Sequence, residues 1–319
     1  MIDFVPEPRQ VSFLDVFTDR PLAGNGVAVV ADADALSDEV MLGFARETRL
    51  SETTFVQSAS EAGAHYRNRI WTPGEELPFA GHPSLGTAVG IARWRGQTQA
   101  SLVQQTGAGL QPLEVSREDA QPGAAERWRA SMLQAETRFG VELEVDETMG
   151  SAGLSGADAH PELPPQIVST GVAHAIAPLA EAGSLARVSP DYEAIDALLR
   201  PHEAVVLYLA WSDPESGRGR ARSFSRIREL GEDPATGSAV GPLCAYLHRR
   251  AGASAITVEQ GEEMGRPSKL EAEMEGELVR VSGSVVPLID GSVVLPGTFD
   301  ILPVCMTATR WSSEPGSPG

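Results

Sequence analysis

Cysteine is nearly absent from this chain: two in 319 residues, Cys244 and Cys305, far apart and outside any CxxC or Cys/His spacing. A disulfide framework or a structural zinc site needs grouped ligands, so neither is indicated. Basic residues are scarce as well, with 25 Lys and Arg against 44 Asp and Glu and a net charge of −19. Nucleic-acid binding and polybasic membrane attachment both need clustered Lys and Arg, so both partners are set aside. No apolar run approaches the ~18 residues that a spanning helix requires. The opening MIDFVPEPRQ carries acids and prolines where a signal peptide has a basic start and an apolar core. A reduced, cytoplasmic setting is the expectation. What remains is a globular composition, 42% hydrophobic and 22% charged, on a chain long enough for two domains with cores of their own.

Hydrophobic periodicity orders the chain. VSFLDVF (11–17) and GVAVVAD (26–32) alternate as strands around DRPLAGN, which is turn chemistry. LSDEVMLGFARETRL (36–50) reads as an amphipathic helix started by Ser37. TTFVQSA (53–59) and HYRNRIWTP (65–73) are strands. PSLGTAVGIARW (83–94) differs, being small or apolar nearly all round, which predicts a fully enclosed helix. A polar, Gly/Pro/Ala-rich stretch over 117–163 predicts a domain crossing near 120–130, giving units of 1–125 and 126–305 and a mobile tail over 306–319. The second unit restarts at PPQIVSTGVAHAIAPL (164–179). A helix at 192–200, strands at 202–212 and 220–227, and a second small-residue helix, ATGSAVGPLCAYLHRR (235–250), follow.

HPSLGTAVG (82–90) and DPATGSAVG (233–241) share Pro, Gly and Ala-Val-Gly, 151 positions apart. That interval far exceeds solenoid periods and implies a duplicated domain. In this register Gly86-Thr87 and Gly237-Ser238 sit at two equivalent helix starts, where free N–H groups and the helix dipole attract anions. His82 and Asp233 open the two segments. Each also admits a local reading, His82 as a turn histidine and Asp233 as a helix cap. Glu52, between an amphipathic helix and an apolar strand, would be partly desolvated, which moves a carboxyl toward the range useful in acid–base catalysis.

Four segments, RLSETTFV (49–56), RIWTPGEELPFAGHPSLGTA (69–88), GEDPATGSA (231–239) and QGEEMGRPS (260–268), resemble the PhzF-like isomerases of phenazine biosynthesis. The resemblance implies a diaminopimelate-epimerase-like α+β fold: two pseudosymmetric domains, each a mixed sheet rolled around a central buried helix. It implies a homodimer and a small-molecule substrate, with no metal or organic cofactor. Glu52 matches the catalytic acid–base glutamate, with His82 and Asp233 as its catalytic partners beside the ligand. Gly81, Gly237 and Ser238 match the part that holds the ligand's carboxylate or amine. The implied activity is a proton shift between carbons of a small, carboxylate-bearing, cyclic amino-acid-like molecule, with one carboxyl acting as base and then acid. Gly26, Trp71 and Ala173 depart from the family pattern and bear on substrate identity. A two-base racemase or epimerase and a non-catalytic small-molecule-binding protein remain alternatives on the same fold. A nicotinamide enzyme does not, because no GxGxxG follows a strand.

Overall fold

The computed structural model describes residues 7–119, 125–213 and 215–296; the expected tail and Cys305 lie outside them. The first set of elements is β1 (Arg9–Val16), β2 (Asn25–Val30), α1 (Asp38–Thr48), β3 (Glu52–Gln57), β4 (Tyr66–Trp71), β5 (Glu76–Leu77), α2 (Gly81–Trp94), β6 (Gln99–Thr106), β7 (Gly109–Arg117) and β8 (Trp128–Leu133). Then come β9 (Arg138–Glu142), α3 (Val145–Ser151), β10 (Gln166–Ser169), β11 (Ala173–Pro178), α4 (Tyr192–Leu199), β12 (Val206–Asp213), β13 (Arg218–Ser225) and β14 (Glu232–Asp233). α5 (Gly237–Ala251), β15 (Ala255–Gln260), β16 (Ser268–Glu275) and β17 (Leu278–Val293) complete the chain.

One mixed sheet of 17 strands runs through the described residues, and its pairings occur twice. β2 lies parallel to β3, β4 antiparallel to β3 and β5, and β6 parallel to β4. β11, β12, β13, β14 and β15 repeat that pattern strand for strand. The two sets are joined where β17 pairs with both β1 and β8. The fold is therefore α+β with two pseudosymmetric lobes, each sheet wrapped on a single helix. α2 is buried at every position from Gly81 to Ala92, and α5 from Ala239 to Leu247. Side chains alternate across each strand. Val27 and Val29 face α2, whereas Val30 and Phe55 face α1 on the outer layer. Ser37 caps α1, its hydroxyl accepting from the Val40 amide, a contact worth about 1 kcal/mol.

The register of the repeat differs from the one expected. In β4 and β5, Arg69 forms a bidentate pair with Glu76 and lies over Trp71. In β13 and β14, Arg222 does the same with Glu232 and lies over Phe224. Trp71 opposes Glu76, as Phe224 opposes Glu232. Glu76 and Glu232 are thus equivalent, 156 positions apart, and the shared pattern is E-x-P-x-x-G, in ELPFAG (76–81) and EDPATG (232–237). The helices begin at Gly81 and Gly237. Gly86-Thr87 lies inside α2 rather than at its start, and His82 corresponds to Ser238, not to Asp233. Small, apolar helix sequences match one another in several registers, and only strand pairing selects the right one.

The lobes are pinned by Arg266. Its guanidinium bonds Asp15 Oδ1 at 2.7 Å, the Gly24 carbonyl at 2.7 Å and the Ala23 carbonyl at 2.8 Å. Asp15 is 2% exposed. Arg266→Ala would leave that carboxylate buried without its cation, an expected loss of about 3 kcal/mol read by urea denaturation.

Candidate active site

The two helix starts meet head to head. A Cβ placed on Gly81 would lie 2.9 Å from the Ser238 amide nitrogen and 3.1 Å from the Gly237 carbonyl carbon; one on Gly237 would strike the Phe17 ring at 2.7 Å. Glycine is required at both positions by this close approach. The starts of α2 and α5 therefore meet in one region between the lobes.

Glu52 opens β3 beside that junction. Its Oε2 lies 3.3 Å from Nε2 of His82, the second residue of α2, and both atoms are enclosed without a hydrogen-bond partner. Burial, then the negative charge of Asp233, push the Glu52 carboxyl up to about 8, with the Ser51 hydroxyl opposing. Burial pushes His82 down to about 3, so its ring is neutral. Asp233, from the opposite lobe, is also raised, chiefly by burial. It is not the cap of α5, whose preceding residue is Thr236. The Thr236 hydroxyl instead donates to Asp233 Oδ2 at 2.5 Å, and Gln260 Nε2 donates to the Asp233 carbonyl at 2.7 Å. Glu52, His82 and Asp233 thus converge, and Gly81, Gly237 and Ser238 form the adjoining contact.

Sequence reasoning missed Asn25. Its amide nitrogen contacts Asp233 Oδ1 at 2.7 Å, His82 Nδ1 at 3.2 Å and the Ala235 carbonyl at 3.2 Å, and its oxygen accepts from Ser51 Oγ at 3.1 Å. Asn25 opens β2 within AGNG (23–26), a segment whose composition signals a turn and nothing more. Its partners come from three distant segments, so no local pattern marks it.

The strand registers also fix what stands opposite Glu52 in the other lobe. Thr53 pairs with Trp71 and Leu207 with Phe224, so the mate of Glu52 is Val206. Ile70 pairs with Leu77 and Ser223 with Asp233, so the mate of Asp233 is Leu77. Glu52 and Asp233 thus come one from each lobe, and each has a hydrocarbon side chain at its duplicated position. Cys244 lies in α5, 1% exposed, its thiol pushed up to about 12 chiefly by burial. Two open clefts, of about 440 and 640 Å³, lie elsewhere on the lobes and are lined by none of Glu52, His82 or Asp233. Among the described residues no group of three His, Cys, Asp or Glu side chains is placed to hold a metal, and no helix is long and apolar enough to cross a membrane.

The buried carboxyl makes stability pH-dependent with a definite sign. Between the ordinary value of 4.5 and about 8, the unfolded chain has released a proton that folded Glu52 retains. Rising pH in that window therefore favours unfolding, by at most about 1.4 kcal/mol per pH unit. His82 acts oppositely, losing stability as pH falls from 6.5 toward 3. The melting temperature of the wild type relative to Glu52→Gln is expected to fall steadily from pH 5 to 8.

The two-lobed fold with opposed helix starts is that of the PhzF and proline racemase/epimerase-type proteins. A hydroxyproline epimerase from Agrobacterium vitis shares this fold, with a TM-score of 0.61 at 12% identity, covering 91% of this chain and 93% of its own. More narrowly, residues 14–291 match the PhzC-PhzF family, described as phenazine biosynthesis-like protein, and the chain belongs to that family. It is 35% identical over 291 residues to the trans-2,3-dihydro-3-hydroxyanthranilate isomerase of Pseudomonas aeruginosa, covering 88% of this chain and 98% of that one. A solved structure described as a predicted epimerase from the same organism superposes with a TM-score of 0.76 at 33% identity, over 90% of this chain and 99% of the other. The chain is an enzyme of the isomerase class.

Proposed function

We propose that the chain moves a proton between carbons of a small, carboxylate-bearing, cyclic amino-acid-like substrate, with Glu52 as the one acid–base group and no cofactor. The observation that carries this reading is the asymmetry at one position of the duplicated scaffold: Glu52 is largely buried and raised to about 8, while its mate in the other lobe is Val206. As a carboxylate, Glu52 takes a C–H proton, and the electron pair moves into the adjoining π system. The protonated carboxyl then returns the proton at a second carbon, so that an enol-type product relaxes to its ketone. A group poised near neutrality serves both halves. The convergent N–H groups of α2 and α5 would hold the substrate's carboxylate and stabilise charge that develops during transfer. Asp233 and His82 would flank the ligand and fix its orientation.

A two-base racemase needs an acid–base group on each side of the substrate. The hydrocarbon mate of Glu52, Val206, and the buried Cys244 weigh against it; Asp233 is the carboxyl from the opposite lobe that such a mechanism would have to use. The test is incubation in heavy water with trans-2,3-dihydro-3-hydroxyanthranilate, the substrate in the relative's name, and with a panel of cyclic amino carboxylates, followed by proton NMR. Loss of one C–H signal with isomer formation is expected for at least one compound. Binding across the panel with no exchange would favour a non-catalytic protein instead.

A further inference from the structure

Thr236 stands where a helix cap belongs, at the residue before α5, yet its side chain makes no capping bond. A threonine there ordinarily accepts from a first-turn N–H, a contact worth about 1 kcal/mol. This hydroxyl is turned instead onto Asp233 Oδ2, at 2.5 Å. Gln260, 2% exposed, braces the pair. Its Nε2 donates to the Asp233 carbonyl at 2.7 Å and to Thr236 Oγ1 at 3.1 Å. Its Oε1 accepts from the Tyr208 hydroxyl at 3.1 Å and from the Thr236 amide at 3.3 Å. Reversing that amide would set its oxygen against a carbonyl and its NH2 against an N–H, so its orientation is fixed. Among the described residues Asp233 Oδ2 is the acceptor that the Thr236 hydroxyl meets, and Oδ1 faces the Asn25 NH2 group at 2.7 Å. Each oxygen thus faces a donor, the arrangement that favours an ionised carboxylate. One lobe alone is built this way. The mate of Asp233 is Leu77, and at the same spacing the mate of Thr236 is Ala80, which precedes α2.

We propose that Thr236 is a positioning residue that holds Asp233 as a carboxylate, so that Asp233 is a fixed acceptor in the site and Glu52 is the one of the two carboxyls that carries a proton. The titratable groups around Asp233 fit this division. Glu52, at the head of β3, is the group that feels the charge of Asp233. Glu232, the neighbour in β14, is paired with Arg222 at 2.7 and 2.8 Å. His82 of α2 is neutral, and burial keeps the Tyr208 phenol of β12 protonated. Burial is the main force against a charge on Asp233, and the Thr236, Asn25 and Ala235 donors oppose it. The catalytic part of this inference rests on the isomerase reading above; the charge on Asp233 does not.

The experiment is carbon-13 NMR of the full chain labelled at aspartate γ-carbons, with Asp233 assigned by its loss in Asp233→Asn. At pH 7 the wild type is expected to show a carboxylate signal. Thr236→Val keeps the size of the side chain and removes the hydroxyl. It is expected to raise the Asp233 midpoint by about 1 to 2 pH units, the worth of one hydrogen bond to a charged group. Its kcat should fall about tenfold with a smaller change in KM, and Thr236→Ser, which keeps the hydroxyl, should return both midpoint and kcat toward wild type. A wild-type Asp233 that is protonated at pH 7 overturns the proposal whatever the variants do. So does a Thr236→Val variant with an unmoved midpoint or wild-type kcat. If Thr236→Val fails to fold, Thr236→Ala, which installs the residue found at the equivalent Ala80, supplies the same comparison. If the midpoint moves as stated but Glu52→Gln still exchanges substrate protons, the isomerase reading fails and the hold of Thr236 on Asp233 stands.

Discussion

Glu52→Gln is expected to abolish deuterium uptake from heavy water and to lower kcat by at least a factor of about 10² to 10⁴, the usual contribution of a positioned acid–base group. The substitution keeps the size of the side chain and its place at the head of β3 beside His82, so binding should survive. A kcat loss with little change in KM marks a group that acts on the reacting atoms and not on the ground-state complex. The amide also removes a carboxyl that burial and Asp233 both disfavour in its charged form. The variant is therefore expected to be as stable as the wild type at pH 6 and more stable at pH 8. Undiminished exchange would remove Glu52 from the mechanism, whatever the stability data show.

The second large effect is expected from Gly81→Ala. The added methyl meets the backbone of the other lobe, the Ser238 nitrogen and the Gly237 carbonyl carbon, and no flexible side chain can yield in their place. Relief requires one helix start to move. Overpacking of this kind costs about 1 to 3 kcal/mol, which a two-lobed core of this size tolerates. Catalysis is less forgiving, because a displacement of about 1 Å at a reacting geometry can cost ~10²-fold in rate. The expected outcome is a folded protein with a modestly lower melting temperature and a kcat reduced about a hundredfold. Gly237→Ala should behave similarly, with the Phe17 ring as the obstacle. Wild-type turnover in both variants would mean that the head-to-head contact is not part of the working site.

These effects trace to features that the sequence displays unequally. The enclosed character of α2 and α5 is plain in it, because a helix small and apolar on every face has nowhere else to go. So is the cap of α1 at Ser37. Glu52, His82 and Asp233 could be singled out by type and by family resemblance, and they converge. Their spatial relation was read wrongly in one respect. The match between residues 82–90 and 233–241 suggested that His82 and Asp233 are equivalent, whereas the Arg69–Glu76 and Arg222–Glu232 pairs show that they are not. His82 belongs to the first turn of its helix and Asp233 to the short strand before the other helix. Each reaches the site by a different route, which is how a duplicated scaffold becomes asymmetric.

Other features leave no local trace. Asn25 is the first residue of β2, and its partners Asp233 and Ala235 lie more than 200 positions away. Arg266 and Asp15 are an ordinary pair of charges until strand pairing brings them to 2.7 Å. Strand β8 lies within the most polar part of the chain, yet its Trp128, Ala130 and Met132 are buried. Alternation with polar neighbours there resembles loop composition, and the surrounding Gly, Pro and Ala residues obscure a strand of only six residues. Sheet register, not composition, positions all of these groups.

The central claim is that one carboxyl, enclosed where the lobes meet, is held near neutrality while its mate in the other lobe is hydrocarbon. Carbon-13 NMR of the chain labelled at glutamate δ-carbons, with the Glu52 resonance assigned by its loss in Glu52→Gln, tests this directly. A titration midpoint near 8 is the predicted result. A midpoint in the ordinary glutamate range, about 4 to 5, would contradict it.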